Sequence, residues 1–60
     1  MHKAARQRHL LDLLSERGQA AVAELAGAIG VSVDTVRRDL ADLERQGLAQ
    51  KHHGGAIALE

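Results

Sequence analysis

Ten residues, V-S-V-D-T-V-R-R-D-L from Val31 to Leu40, constrain this chain more than any other stretch. Ser32 is placed to open a helix, because its hydroxyl can accept a backbone N–H that the first turn leaves without a partner. Beyond it Val33, Val36, Leu40 and Leu43 recur at the three- and four-residue steps of one helical face. At about 100° per residue, Arg38 and Arg45 project almost opposite that stripe. Asp34, Thr35, Ala41 and Asp42 fill the outer arc, with Arg37 on one shoulder and Asp39 on the other. Just upstream, E-L-A-G-A-I-G sets Leu25 and Ile29 one turn apart and ends on Gly30. A glycine there tolerates the backbone angles of a sharp turn. Two short helices meeting at a glycine turn, the second carrying outward arginines at its front, form the helix-turn-helix arrangement. Its usual partner is double-stranded DNA.

Sixty residues make one small domain, which buries only about 60% of the surface its unfolded chain exposes. There is no Cys to staple it and no Phe, Trp or Tyr to fill it, so the core must be built from Leu, Ile, Val and Ala. Its stability is expected at the low end of roughly 5–15 kcal/mol. His52 and His53 are adjacent, while His2 and His9 lie far off without acidic or thiol partners. No zinc-ligand spacing results, and neither a metal nor a cofactor is expected. No Ser-His-Asp order or carboxylate pair suggests a catalytic residue, and so short a chain leaves no room for a sizeable pocket. An enzyme is therefore not expected. No apolar run reaches spanning length and no leader pattern is present, so a membrane partner is not expected and the cytoplasm is the default location.

Eight Lys and Arg balance eight Asp and Glu, but the distribution is uneven. The first eighteen residues hold Lys3, Arg6, Arg8 and Arg17 against Asp12 and Glu16. From Glu24 to Glu44 five acids face Arg37 and Arg38, and beyond them Arg45 and Lys51 stand with His52 and His53. A fold that brings both ends beside the arginines makes a basic face on a neutral molecule. The alternative is ordinary solvated charge.

The local pattern predicts a mainly α architecture. Helix 1 runs from about Lys3 to Arg17, with Leu10, Leu13 and Leu14 facing the core and Leu11 on its flank, and Gly18 closing it in a left-handed conformation. Gln19 to Val22 is a brief extended link or a one-bridge edge strand. Helix 2 spans about Ala23 to Ile29. Gly27 inside it is unfavourable by about 1 kcal/mol relative to alanine, a cost that close approach of another helix would offset. Helix 3 runs from Val33 to about Gln46, roughly 21 Å, and Gly47 closes it. L-A-Q-K-H-H-G-G-A-I-A-L then reads as two short strands around Gly54-Gly55, a pair that accepts the positive φ angles of tight hairpin turns. Three helices and a C-terminal β-hairpin wing make a winged helix-turn-helix.

Arg6, Leu10 and Leu14 at four-residue steps, then Ser32 and Thr35-Val36-Arg37-Arg38-Asp39-Leu40, then H-G-G-A from His53 to Ala56, extend over nearly the whole chain. In this combination the sequence closely resembles the N-terminal DNA-binding domain of the DeoR family of bacterial transcriptional regulators. Asp39 stands where many helix-turn-helix motifs carry an aliphatic residue, and the DeoR type has aspartate there. The resemblance implies transcriptional control by operator binding, with repression of a sugar or metabolite operon as the expected sense. It also implies a larger C-terminal domain that binds a sugar phosphate or related effector, and a homo-oligomeric intact protein. Residues 1–60 are accordingly expected to be one winged helix-turn-helix domain of a longer chain, with Leu59-Glu60 a candidate cloning remnant.

Ser32, Val33, Asp34, Thr35, Arg37 and Arg38, at the front of helix 3, are the candidate major-groove contacts. Lys51, His52 and His53 on the wing are candidate contacts to the sugar-phosphate backbone or minor groove, and Lys3 and Arg6 on helix 1 are candidate backbone contacts. Each has a plainer alternative. Thr35 can be a capping hydroxyl, Arg38 can pair with Asp34 and Asp42 one turn away, and the histidines can decorate a bare hairpin. Asp39 is expected to be structural, within about 4 Å of an arginine of helix 1: Arg6, or alternatively Arg8 or Arg17. The rival to DNA binding is a winged helix used for protein–protein contact, since fold does not fix function. Interface helices favour aromatic and large apolar anchors, which the outer arc of helix 3 lacks.

Overall fold

The polar–apolar alternation resolves, in a computed structural model that describes residues 2–59, into three helices and a small sheet. Met1 and Glu60, the outermost positions of the expected domain and of the candidate remnant, lie outside the described residues. In chain order the elements are α1 (Lys3–Arg17), β1 (Gln19–Ala21), α2 (Val22–Ile29), α3 (Val33–Arg45), β2 (Ala49–His52) and β3 (Gly55–Ala58). Leu10 and Leu14 of α1, Leu25 of α2 and Val36, Leu40 and Leu43 of α3 are all but fully buried against one another. They form the aliphatic core that the composition requires. Leu13, expected inside, is only partly buried and shares the flank with Leu11.

Local chemistry sets the helix ends. Ser32 Oγ accepts the Thr35 N–H at 3.1 Å, the cap its position predicts. Glu24 Oε1 accepts the Ala21 N–H at 3.1 Å and satisfies a donor at the start of α2. Gly30 takes up the left-handed conformation, φ 84° and ψ 35°, that turns α2 into α3. Gly18 also has positive φ, but at ψ −47° it lies outside the left-handed helical basin expected for it. The predicted close approach at Gly27 is absent: the residue is exposed, and a Cβ there would meet nothing within 4 Å.

The sheet is larger than expected. Gln19, Ala20 and Ala21 pair with Ile57, Ala56 and Gly55, so the link is a full three-residue strand and not a single bridge. The strand order is β1-β3-β2, both pairings antiparallel, with the last strand of the chain in the middle. The hairpin turn also departs from expectation. Gly54 alone has positive φ, at 79°, while Gly55 has joined β3. Gly55 is needed for another reason: a Cβ on it would sit 2.3 Å from the Ala20 carbonyl oxygen. The Val22 N–H donates to the Gly54 carbonyl at 2.9 Å and anchors the wing turn to the start of α2. Three helices and a β wing, a winged helix-turn-helix, is therefore the fold.

Candidate nucleic-acid interface

Helix α3 presents three faces. Val36, Leu40 and Leu43 point inward, and Val33 is half-buried beside them. Arg37 and Arg38 are both exposed. Since successive helical residues diverge by about 100°, the two arginines aim at different places. Arg38 projects opposite the buried stripe, at the crest. Arg37 lies on the shoulder that faces the wing.

The opposite shoulder is closed by α1. Asp39 is 1% exposed and accepts two hydrogen bonds from Arg6, one from Nε to Oδ2 and one from Nη2 to Oδ1 at 2.9 Å. This is the ion pair with helix 1 that the angular argument anticipates. The Arg6 bonds hold the Asp39 carboxyl below the usual carboxylate range, against burial, which pushes it up; Gln7 adds to the lowering. In return Asp39 pushes the Arg6 guanidinium further up. Gln7 Nε2 bridges Asp39 Oδ1 at 3.4 Å and Asp42 Oδ2 at 3.3 Å. Lys3 Nζ completes the clamp at 2.8 Å from Asp42 Oδ2.

These contacts revise three sequence expectations. Arg6, a candidate backbone contact, has two of its three guanidinium nitrogens engaged by Asp39, and its side chain is only 19% exposed. It acts as a brace between helices because a buried carboxylate needs a hydrogen-bonded cation. Asp42, placed on the outer arc, is half-buried and held by Lys3, Gln7 and Arg45. Arg38 consequently has neither of the partners proposed for it. Asp42 is taken, and Asp34 lies 3.9 Å from Arg37. Among the described residues no carboxylate lies within ion-pair distance of Arg38. Gln7, which carries no charge pattern to betray it, was missed by sequence reasoning. So was Glu44, whose Oε2 accepts the Lys51 N–H at 3.0 Å and ties the outer edge of β2 to the end of α3.

On the wing side an open groove of about 600 Å³ lies between α3 and the hairpin turn. The short chain was expected to leave no such space. Val22, Val33 and Leu40 lie at its apolar floor, and Arg37, Lys51 and His52 are among its walls. Across the crest a smaller recess is lined by Lys3, Arg6, Thr35, Arg38, Asp39 and Asp42. Ser32, Asp34, Lys51, His52 and His53 are all exposed, and Thr35 is half-buried with Oγ1 3.0 Å from Ser32 Oγ. The fold thus gathers the arginines with Lys3 on one side and Lys51, His52 and Gly54 on the other. His53 instead borders a separate hollow on the β1 side with Gln19 and Glu24, away from Arg37.

The family of DeoR-like helix-turn-helix domains matches residues 6–60. The chain is 51% identical, over 51 residues, to the HTH-type transcriptional repressor CsqR of Escherichia coli, covering 85% of this chain and 20% of that protein. It is 43% identical over 49 residues to the L-fucose operon activator of Haemophilus influenzae, covering 82% of this chain and again 20% of the relative. The chain thus spans about a fifth of the length of these curated relatives. In fold it is similar to the Zalpha domain of Carassius auratus PKZ, solved in complex with Z-DNA. The TM-score is 0.84 at 22% identity, over 95% of this chain and 97% of that one.

Proposed function

The chain belongs to the family of DeoR-like helix-turn-helix domains, and from that premise we propose that it docks sequence-specifically on operator DNA to control transcription. The observation that carries this reading is the exposed face of α3. It offers Arg37, Arg38, Thr35 and Asp34, and its flanks bring Lys3 from α1 and Lys51 and His52 from the wing. In this reading α3 lies in the major groove, with Ser32, Val33, Asp34, Thr35, Arg37 and Arg38 facing the bases or their rims. Lys3, Lys51 and His52 meet the sugar-phosphate backbone, and His53, on the β1 side of the hairpin, stays outside this contact. Arg6 supports α3 from behind.

Repression is the sense we infer, from the name of the repressor with which the chain is 51% identical. The L-fucose operon activator carries a similar domain. The domain itself is thus compatible with either sense, and the operator's position relative to the promoter decides between them. The remaining four-fifths of such a protein would supply the effector site, for a sugar phosphate or related metabolite, and the self-association that sets two copies on paired half-sites. A protein-interface role fits less well, because α3 offers arginine, threonine and aspartate where an apolar anchor would be needed.

The test is a duplex titration of the isolated chain, followed residue by residue by NMR across a series of salt concentrations. Four to six phosphate contacts would make log K fall with log salt at a slope of roughly −4 to −5. Shifts are expected on α3, on the wing and at Lys3. A flat salt response, or no binding to any duplex at low salt, rules the reading out.

A further inference from the structure

Three arginines stand on α3, and the middle one is unlike the others. Arg37 has Asp34 at 3.9 Å, and Arg45 is paired with Asp42. Arg38, at the crest, has no carboxylate partner among the described residues. We infer that the two adjacent arginines divide the labour of recognition: Arg38 reads a base edge, and Arg37 with Lys51 grips a phosphate across the groove between α3 and the wing. The inference rests on the DNA-binding reading above and adds an assignment that reading leaves open.

The argument is geometric. A helix lying in the major groove turns its crest to the base edges at the floor, while its shoulders face the phosphates along the rims. Arg38 is opposite the stripe of Val36, Leu40 and Leu43, so it points away from the core. Thr35, one turn before it, lines the same recess. Arg37 instead looks over an open groove whose other wall carries Lys51 and His52 from β2. That groove has cationic side chains on both walls and an apolar floor, a setting for a negatively charged strand lying along it. The ion pairs follow the same division. A guanidinium that must present its flat fork to guanine O6 and N7 gains from having no carboxylate to leave. An exposed pair such as Asp34–Arg37 is weak and yields readily to a phosphate.

The division predicts different consequences for adjacent positions. The isolated chain is used to select binders from a pool of randomised 20-base-pair duplexes, and the selected duplexes are then titrated at several salt concentrations. Arg37→Ala should select the same sequence, bind every duplex more weakly by a similar factor, and lower the salt slope by about one. Arg38→Ala should lose its preference at one or two base pairs, where discrimination should drop by roughly 5- to 150-fold. Conservative variants sharpen the contrast. Arg37→Lys should keep most of the affinity, whereas Arg38→Lys should keep the salt slope and weaken the base preference, because an ammonium lacks the flat, pre-organised fork of a guanidinium. Circular dichroism melts confirm that each variant is folded. If Arg37→Ala changes the selected sequence, or Arg38→Ala leaves it intact, the division is overturned. Wild-type binding without any base preference overturns it as well, while leaving DNA binding in place. Failure of the wild type to bind any duplex removes the underlying reading itself.

Discussion

On the α1 side of α3, Asp39 and Asp42 are turned inward and met by Lys3, Arg6 and Gln7; on the wing side, Arg37 stands with Lys51 and His52 around an open groove. One helix thus carries charge on both shoulders, and the two sets behave differently. On the first side each acid has a cation, Asp39 is buried, and the bonds from Arg6 and Gln7 tie α1 to α3. On the second side, charge faces solvent. The neutral total of the sequence therefore conceals a segregated molecule. Acids concentrate where they brace the fold, and Arg38 and Lys51 remain outside without carboxylate partners among the described residues.

The most drastic way to break this contrast is to remove the side chain beneath it. Leu40 is fully buried and also floors the wing groove. Leu40→Ala should lower stability by about 2–5 kcal/mol, a large share of what so small a domain possesses. Urea denaturation measures it, and a loss below about 1 kcal/mol would mean that the groove collapses to refill the site. Gly55→Ala strikes the wing side alone. Its Cβ would fall 2.3 Å from the Ala20 carbonyl oxygen, and backbone on both strands must part to admit it. A loss of roughly 1–3 kcal/mol is expected, with NMR shifts concentrated in β1 and β3 while the Asp39 clamp persists. Shifts spread equally into the α1–α3 contact would show that the two sides are not independent.

The clamp side is tested by pH. Asp39 is held below its unfolded value of about 3.9, first through its Arg6 hydrogen bonds and against its burial. A carboxyl whose folded pKa is depressed stabilises the fold fully above the unfolded pKa, and the contribution disappears as pH falls through the folded one. Wild-type stability should therefore decline below about pH 4. Asp39→Asn should begin less stable at neutral pH and decline less steeply in acid. Parallel acid profiles for the two proteins would place the acid sensitivity elsewhere. The smallest effect on stability belongs to the exposed crest. Arg38→Ala should leave the melting transition within about ±0.5 kcal/mol of wild type and yet weaken DNA binding. A clearly destabilised variant would mean that this arginine braces the fold.

Much of this contrast is legible in the sequence because it is angular. Serial spacing along α3 places Ser32 at the cap, the aliphatic stripe inward, Arg38 outward and Asp39 on the α1 side, and all four appear so in the structure. What escapes is set by residues distant in sequence. Gln19-Ala20-Ala21 has little intrinsic strand propensity, and it becomes β1 only because β3, some 35 residues later, offers a partner. Asp42 belongs to the outer arc by rotation alone, but Lys3 and Gln7 draw it in from another helix. Gly55 suggests turn chemistry in the sequence, whereas its missing side chain serves the contact with Ala20. Periodicity reports which way a residue points; it does not report what waits there.

The strand order has a consequence for how the domain comes into being. β3 is the last element in the chain, yet it is the central strand, and both β1 and β2 hydrogen-bond to it. During synthesis from the N-terminus, the helices can associate early, but neither outer strand has its neighbour until Gly55–Ala58 has emerged. The groove beside Arg37 does not exist before then, because one of its walls is the finished hairpin. A nascent chain halted short of Ala58 would carry the arginines of α3 without the wing. Competence to bind would thus arrive in one late step, when the central strand joins its two neighbours.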